Sequence, residues 1–125
     1  MNTLQRVMYV EDDPDIQTVA KIALETVGGF SLKICSSGEE ALREAEAFAP
    51  EMILLDVMMP GMDGLATLES LKENQRLAEV PVVFLSAKTQ PAEVAHYKSL
   101  GALDVIAKPF DPITLADRVR AIWQT

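Results

Sequence analysis

Short apolar runs alternate with amphipathic stretches along the whole chain, and this alternation constrains the fold more than any other feature. Five runs are predicted to be buried strands, at residues 7–10, 30–35, 52–55, 82–85 and 103–107. The third run, Met52-Ile53-Leu54-Leu55, is apolar at every position, which is typical of a parallel strand covered on both faces. Strict β-α alternation predicts an α/β domain with a doubly wound, five-stranded parallel sheet and helices on both faces.

Capping residues mark the predicted helix boundaries. Asp13-Pro14 predicts the start of the first helix, because an aspartate cap followed by proline suits the first helical turn, and Asp111-Pro112 predicts the start of the last in the same way. Ser37 and Glu40 predict a capping box at the start of the second helix. The first helix is expected to end near residue 27, and the third and fourth are expected over about residues 65–74 and 91–100.

Length and charge limit the classes of protein to consider. The chain has 125 residues, the size of one domain, so we expect residues 1–125 to form a single unit with its own core. Its formal net charge of −8 argues against a nucleic-acid surface, because phosphates repel an acidic protein. Residues 1–6 lack a signal-peptide pattern, and no apolar run reaches the roughly 18 residues that a membrane span needs. We expect a cytoplasmic protein without direct nucleic-acid or membrane contacts.

Polar residues follow four of the five predicted strands. Glu11 and Asp12 follow the first strand, and Asp56 follows the third. Ser86 follows the fourth strand and Lys108 follows the fifth. Each of these residues alone is compatible with a turn or a cap, but open α/β sheets bind ligands beyond the C-terminal ends of their strands. The combination therefore predicts one polar site at that edge.

The chemistry of these residue types points to phosphoryl transfer. Clustered carboxylates repel one another, and a divalent cation relieves that repulsion. Oxygen ligands favour Mg²⁺, and a single histidine and a single cysteine leave no zinc-type cluster. A cation and Lys108 around Asp56 would neutralise phosphoryl oxygens, and a carboxylate can act as the nucleophile.

The chain resembles the response-regulator receiver family from about Gln5 to Trp123. The resemblance is carried by the motifs Val10-Glu11-Asp12-Asp13, Leu54-Leu55-Asp56-Val57-Met58-Met59-Pro60-Gly61-Met62-Asp63-Gly64, Leu85-Ser86-Ala87 and Lys108-Pro109-Phe110. It implies a flavodoxin-like, CheY-like fold with strand order 2-1-3-4-5. It also implies a phosphoacceptor switch of a two-component or phosphorelay pathway, with no output domain visible in these residues.

The same resemblance implies the metal site. Glu11 and Asp12 resemble the acidic pair that holds Mg²⁺. Asp56 resembles the phosphoacceptor and is also a metal ligand, and the backbone carbonyl of Met58 is implied as a further ligand.

Two more roles are implied on the remaining strand ends. Ser86 resembles the switch hydroxyl that moves towards the phosphoryl group, and Lys108 resembles the lysine that pairs with it. The Lys108–Pro109 peptide is expected to be cis, which proline permits at low cost.

The implied partners follow from this switch. A sensor histidine kinase or a histidine phosphotransfer protein would donate the phosphoryl group. A downstream protein or output domain would recognise the surface of helix four, strand five and helix five. The chain would not be an enzyme with a separate substrate, since it would catalyse only its own phosphorylation and slow dephosphorylation.

Some residues depart from the family pattern or flank the site. The family often carries an aromatic switch residue three positions before the lysine, and this chain has Val105 there, so readout through a ring at that position is not expected. Tyr97 and Phe110 are the nearest aromatics in sequence, and neither is assigned that role. Met58 and Lys88 lie two residues after Asp56 and Ser86, and the apolar Met58 predicts a long-lived phosphorylated form.

Two alternatives remain at this point. A phosphohydrolase of the haloacid-dehalogenase type also uses an aspartate nucleophile, but it needs a second aspartate where this chain has Met58. A receiver that has lost its chemistry is disfavoured by the intact acidic pair, Asp56, Ser86 and Lys108. His96, the only histidine, lies on a predicted helix away from the strand ends and is expected at the surface rather than as a phosphodonor.

Overall fold

The computed structural model describes residues 3–124, which form a sheet of parallel strands enclosed by helices. The strands are β1 (Arg6–Val10), β2 (Ser31–Cys35), β3 (Met52–Asp56), β4 (Val82–Ser86) and β5 (Asp104–Ala107). The helices are α1 (Pro14–Lys21), α2 (Gly38–Phe48), α3 (Gly64–Glu73), α4 (Pro91–Ser99) and α5 (Leu115–Trp123), with a π-helical segment, Ile22–Val27, directly after α1. Within the described residues, no helix is both long and apolar enough to cross a bilayer.

The sheet confirms the predicted fold class and strand order. Its strands are arranged β2-β1-β3-β4-β5, and every neighbouring pair is parallel. All five predicted strands agree with the observed bounds to within one residue. In the register, Val10 lies opposite Leu55, Asp56 lies opposite Leu85, and Ser86 lies opposite Ala107. The residues that follow the strands therefore meet at one edge of the sheet.

Alternate strand residues face two separate cores. Met8, Ile53 and Phe84 pack on one face beneath α2, α3 and α4. Val7 and Leu54 pack on the other face beneath α1, the π-helical segment and α5. Because both faces are covered, β3 and β4 are buried at every position, which explains their continuous apolar sequence.

The first helix differs from the prediction in its last turns. It follows the predicted cap, since the Asp13 carboxylate accepts a hydrogen bond from the Asp15 amide at 2.8 Å. From Ile22 to Val27 the backbone widens to π-helical hydrogen bonding, and the Gly28 amide donates to the Ala23 carbonyl at 3.1 Å. A Cβ on Gly28 would lie 2.8 Å from the Ala116 Cβ, so glycine permits the close approach of α5.

The predicted capping box on α2 is half correct. The Ser37 hydroxyl accepts a hydrogen bond from the Glu40 amide at 3.0 Å, as predicted. The Glu40 carboxylate, however, accepts from the Ser36 amide at 2.8 Å rather than from Ser37. The glutamate therefore holds the chain one residue further back, where β2 leads into the helix.

The predicted start of the last helix is wrong by three residues. Residues 112–114 form a turn, and α5 begins at Leu115. Asp111 acts on this turn, because its carboxylate accepts from the Ile113 amide at 2.8 Å and its carbonyl accepts from the Leu115 amide at 3.0 Å. The aspartate-proline signal therefore marks the turn that leads into the helix.

Candidate functional site

Three carboxylates meet at the C-terminal edge of the sheet. Asp56 is the last residue of β3, and Glu11 and Asp12 directly follow β1. One oxygen from each of the three lies within 4.8 Å of the other two. Glu11 and Asp56 are only 1% and 2% exposed, whereas Asp12 is open to solvent. The structure therefore brings together the acidic residues that the strand-end pattern singled out.

Lys108 reaches into this cluster from the loop after β5. Its ammonium nitrogen lies 3.1 Å from Glu11 Oε1 and 3.1 Å from Asp56 Oδ2. The Lys108 amide also donates to the Ser86 carbonyl at 2.9 Å, which continues the β4–β5 pairing beyond the strand. The Lys108–Pro109 peptide is cis, as the family resemblance implies. One cation is thus shared by two buried anions.

Burial and neighbouring charges shift the pKa values of Glu11 and Lys108. Burial, with a further contribution from the charge of Asp56, raises the pKa of Glu11 to about 7, although hydrogen bonds from the Asp13 amide and Lys108 act in the opposite direction. Burial alone would lower the pKa of Lys108, but its hydrogen bonds to Asp56 and Glu11 outweigh that effect and raise it. The lysine is therefore held as a cation.

The donor set suits a hard divalent cation. Three carboxylates face one ammonium, so negative charge remains in excess. Backbone amides orient the carboxylates, with the Asp13 amide 3.1 Å from Glu11 Oε2 and the Met58 amide 3.3 Å from Asp56 Oδ1. Oxygen ligands that are partly buried and partly open to water match the preference of Mg²⁺, which retains several waters. The role of the Met58 carbonyl as a further ligand stays a prediction.

Gly64 has a structural importance that the sequence pattern did not reveal. A Cβ at this position would lie 2.3 Å from the Asp56 carbonyl oxygen and 2.8 Å from the Val57 Cα. The Gly64 amide donates to the Val57 carbonyl at 2.9 Å. The first turn of α3 therefore packs directly against the backbone of the Asp56 segment, which only glycine permits. The pair Asp63-Gly64 is typical of a turn, and the local sequence carries no signal for this contact.

Ser86 ends β4 and is buried, and its hydroxyl is engaged in three contacts. It accepts a hydrogen bond from the Lys88 amide at 3.0 Å and lies 3.2 Å from the Lys88 carbonyl. It also lies 3.4 Å from the hydroxyl of Tyr97 on α4. Sequence reasoning missed this last contact. The available signal was an aromatic residue on α4 together with an aliphatic residue at position 105.

The other residues that the sequence singled out lie around this site. Val105 is buried in β5, while Met58 is 74% exposed beside the acidic cluster. His96 is exposed on α4, as expected.

Comparison with known proteins decides the family. The family described as "Response regulator receiver domain" matches residues 7–120 of this chain. The chain belongs to the response-regulator receiver family. As a receiver domain, it is a phosphoacceptor switch of two-component signalling rather than a member of a classical enzyme family, so the phosphohydrolase alternative is not supported.

Named relatives agree with this assignment. The receiver domain is 37% identical over 122 residues to the DNA-binding response regulator MtrA of Mycolicibacterium smegmatis, covering 97% of this chain and 52% of that protein. It is 35% identical over 118 residues to the alkaline phosphatase synthesis transcriptional regulatory protein PhoP of Bacillus subtilis, covering 94% of this chain and 48% of that protein. The chain thus spans about half the length of these relatives.

A solved structure supports the same fold. The Vibrio cholerae chemotaxis response regulator CheY4 superposes with a TM-score of 0.87 at 27% identity, covering 96% of this chain and 99% of that one. The flavodoxin-like architecture of the receiver domain is therefore shown by its own strand order and by this neighbour.

Proposed function

We propose that Asp56 accepts a phosphoryl group from the phosphohistidine of a sensor histidine kinase or a histidine phosphotransfer protein, in a reaction that depends on Mg²⁺. The observation that carries this proposal is the position of the Lys108 ammonium, 3.1 Å from both Glu11 and Asp56 at the edge of a three-carboxylate cluster. A nucleophilic carboxylate surrounded by positive charge is suited to receive an anionic group.

The transfer exchanges one bond to phosphorus for another. An Asp56 oxygen forms a P–O bond while the P–N bond of the donor breaks, and the electron pair of that bond leaves with the imidazole nitrogen. The Lys108 ammonium lies beside the Asp56 carboxylate and is placed to attract the phosphoryl oxygens as they arrive. The same groups would serve slow hydrolysis, in which water replaces Asp56 on phosphorus.

Metal binding is assigned to Glu11, Asp12, Asp56 and the backbone carbonyl of Met58. When bound there, Mg²⁺ neutralises charge on the phosphoryl oxygens and on the carboxylates that surround them. Glu11 and Asp56 are buried and held by backbone hydrogen bonds, while Asp12 is exposed to solvent. This arrangement leaves one side of the cluster open to water and to the donor.

The output of the switch is assigned to the surface of α4, β5 and α5. Ser86 would turn towards the phosphoryl group on Asp56 and so favour a second conformation, which a downstream protein or an attached output domain would bind. In this proposal residues 1–125 act as one receiver unit in the cytoplasm and make no direct contact with nucleic acid or membrane.

Phosphorylation by a small donor tests this proposal. Acetyl phosphate with Mg²⁺ should add one phosphoryl group, detected by intact-protein mass spectrometry, and a chelator should prevent the addition. Asp56→Asn should abolish it. Asp63→Asn is a matched control, because it removes one carboxylate from the same loop and asparagine retains the cap on α3. Undiminished phosphorylation of Asp56→Asn would contradict the proposal.

A further inference from the structure

Tyr97 connects the Ser86 hydroxyl to the interior side of α4. Its side chain is only 7% exposed, whereas its neighbours His96 and Lys98 are exposed. The tyrosine hydroxyl lies 3.4 Å from Ser86 Oγ, across 11 positions in sequence. Among the contacts described for α4, the polar contact that joins this helix to a strand-end residue of the site is the one between Tyr97 and Ser86.

The ring of Tyr97 is held by the core beneath it. It packs edge-on against Phe84, with ring centroids 5.4 Å apart and an interplanar angle of 73°. Phe84 is fully buried in β4 and pairs in register with Val105 of β5. Tyr97 and Val105 belong to the same core cluster. A ring from α4 therefore occupies the part of the core next to an aliphatic residue on β5.

We propose that Tyr97 couples the position of the Ser86 hydroxyl to the position of α4. The pair formed by these two hydroxyls stabilises the unphosphorylated conformation. When Ser86 turns towards a phosphoryl group on Asp56, the pair is broken and the tyrosine hydroxyl must find a new partner. The inference rests on the proposed function, since it needs Asp56 to carry the group that attracts Ser86.

Ser86 must give up a present donor contact before it can donate to a phosphoryl group. A serine hydroxyl has a single proton, so Ser86 cannot donate to a phosphoryl oxygen while it donates to the Lys88 carbonyl or to Tyr97. A buried tyrosine hydroxyl without a partner is unfavourable, so the loss of Ser86 biases the ring towards another position. Because the ring is attached to α4 and packed against Phe84, we expect its displacement to shift α4 and with it the exposed residues of that helix.

The surface that responds lies directly outside Tyr97. Lys98 follows it in sequence and forms an ion pair with Asp104 at 3.8 Å, and Asp104 begins β5. A change in the position of α4 therefore alters contacts between α4 and β5 at the surface. This path requires no aromatic residue at position 105.

A double-mutant cycle tests the coupling. The probe is beryllofluoride with Mg²⁺, which mimics a phosphoryl group on Asp56. Tyr97→Phe removes only the hydroxyl that stabilises the resting state, so it should raise the affinity for beryllofluoride about three- to tenfold, the range expected for one neutral hydrogen bond. In a Ser86→Ala background the same substitution should change the affinity less than about twofold.

The results of the cycle distinguish a failure of the coupling from a failure of the proposed function. Equal affinity changes in both backgrounds, or no change in either while the wild type binds normally, would overturn the coupling and leave the proposed function intact. A wild-type protein that binds no beryllofluoride with Mg²⁺ would overturn the proposed function itself. Thermal unfolding of each variant verifies that it is folded.

A spectroscopic measurement follows the ring directly. The chain has two tyrosines, so protein labelled with 3-fluorotyrosine should give two ¹⁹F resonances, and Tyr97→Phe assigns the one from Tyr97. Beryllofluoride with Mg²⁺ should shift the Tyr97 resonance in the wild type. In Ser86→Ala the resonance should be displaced already without the ligand and should respond less to it. A Tyr97 resonance that ignores bound beryllofluoride would overturn the inference.

Discussion

The receiver domain contains two triplets of charged residues with mirrored signs and different surroundings. In the acidic cluster, Lys108 lies between Glu11 and Asp56 at 3.1 Å from each, with side-chain exposures of 20%, 2% and 3%. On the α4–β5–α5 surface, Asp104 lies between Lys98 and Arg118 at 3.8 Å from each, with exposures of 27%, 49% and 45%. The pairing is alike, but one triplet is buried and the other is solvated.

The difference in burial distinguishes charges that can take part in a reaction from charges that lie at the surface. Exposed ion pairs contribute little, because water screens them and their side chains lose freedom. Buried charges interact strongly and are costly when unpaired. The buried triplet is therefore suited to a reaction that depends on strong interactions between charges. The exposed triplet is suited to a surface whose ion pairs can change when neighbouring elements move.

Removing the central charge of each triplet gives the largest expected contrast. Lys108→Ala should slow phosphorylation by acetyl phosphate about a hundredfold or more, because it removes the cation beside the nucleophile. Asp104→Ala should leave that rate unchanged and cost less than about 1 kcal/mol of unfolding free energy. Intact-protein mass spectrometry measures the phosphorylation rates, and urea unfolding measures the free energies of unfolding. Similar losses of phosphorylation rate in the two variants would contradict the distinction between the buried and the exposed triplet.

A second comparison concerns backbone packing rather than charge, and it uses two glycines. Gly64→Ala places a methyl group against the Asp56 carbonyl and should weaken beryllofluoride binding about tenfold or more, with a stability loss of about 1–3 kcal/mol. Gly29→Ala is the control, since Gly29 has φ of 75° and nothing within 4 Å of an added Cβ. It should lose about 1–2 kcal/mol of stability without losing affinity. Normal binding by Gly64→Ala would show that this contact does not position Asp56.

The buried triplet should also make stability depend on pH. The pKa of Glu11 is raised from 4.5 to about 7 in the folded protein. Between these values the folded state retains a proton that the unfolded state loses, so the stability of metal-free protein should fall as pH rises from about 4.5 to about 7. The fall should reach about 1–3 kcal/mol, and Lys108 stays charged throughout because its pKa is raised.

Urea unfolding across this pH range in the presence of a chelator measures the effect. Glu11→Gln should flatten the decline, whereas Glu69→Gln, at an exposed position on α3, should preserve it. A decline that is identical in all three proteins would show that Glu11 is not its source.

The smallest expected effect concerns the lifetime of the phosphorylated form. The Met58 side chain is exposed beside the cluster and has no hydrogen-bond donor with which to orient water. Met58→Asn should therefore accelerate dephosphorylation about three- to tenfold, while Met58→Leu should leave the rate unchanged. Phosphate release from phosphorylated protein is the measurement, and an unchanged rate in Met58→Asn would refute this role.

The sequence predicted features that depend on local patterns and on the general rule for strand ends. Strands such as β3 are apolar throughout because both faces are covered, and Asp56 and Lys108 meet because parallel strands end at one edge. Contacts between a helix and the end of a strand left no such pattern in the sequence. The approach of Gly64 to Asp56 and the pairing of Tyr97 with Ser86 depend on how helices settle on the sheet.

Helix ends show the same limit on a smaller scale. Glu40 was expected to bond Ser37 and instead accepts from Ser36, and Asp111 caps a turn rather than the first turn of α5. In both cases the residue type predicts a capping interaction, but the partner is selected by the path of the chain into the helix.

The most direct test of the central claim identifies the residue that carries the phosphoryl group. Borohydride reduction of protein phosphorylated by acetyl phosphate converts an aspartyl phosphate to homoserine, and peptide mass spectrometry locates it. The cluster of Glu11, Asp12, Asp56 and Lys108 predicts homoserine at position 56 alone, and no product when Mg²⁺ is chelated. A reduced residue at any other position, or an equal yield without Mg²⁺, would contradict this assignment.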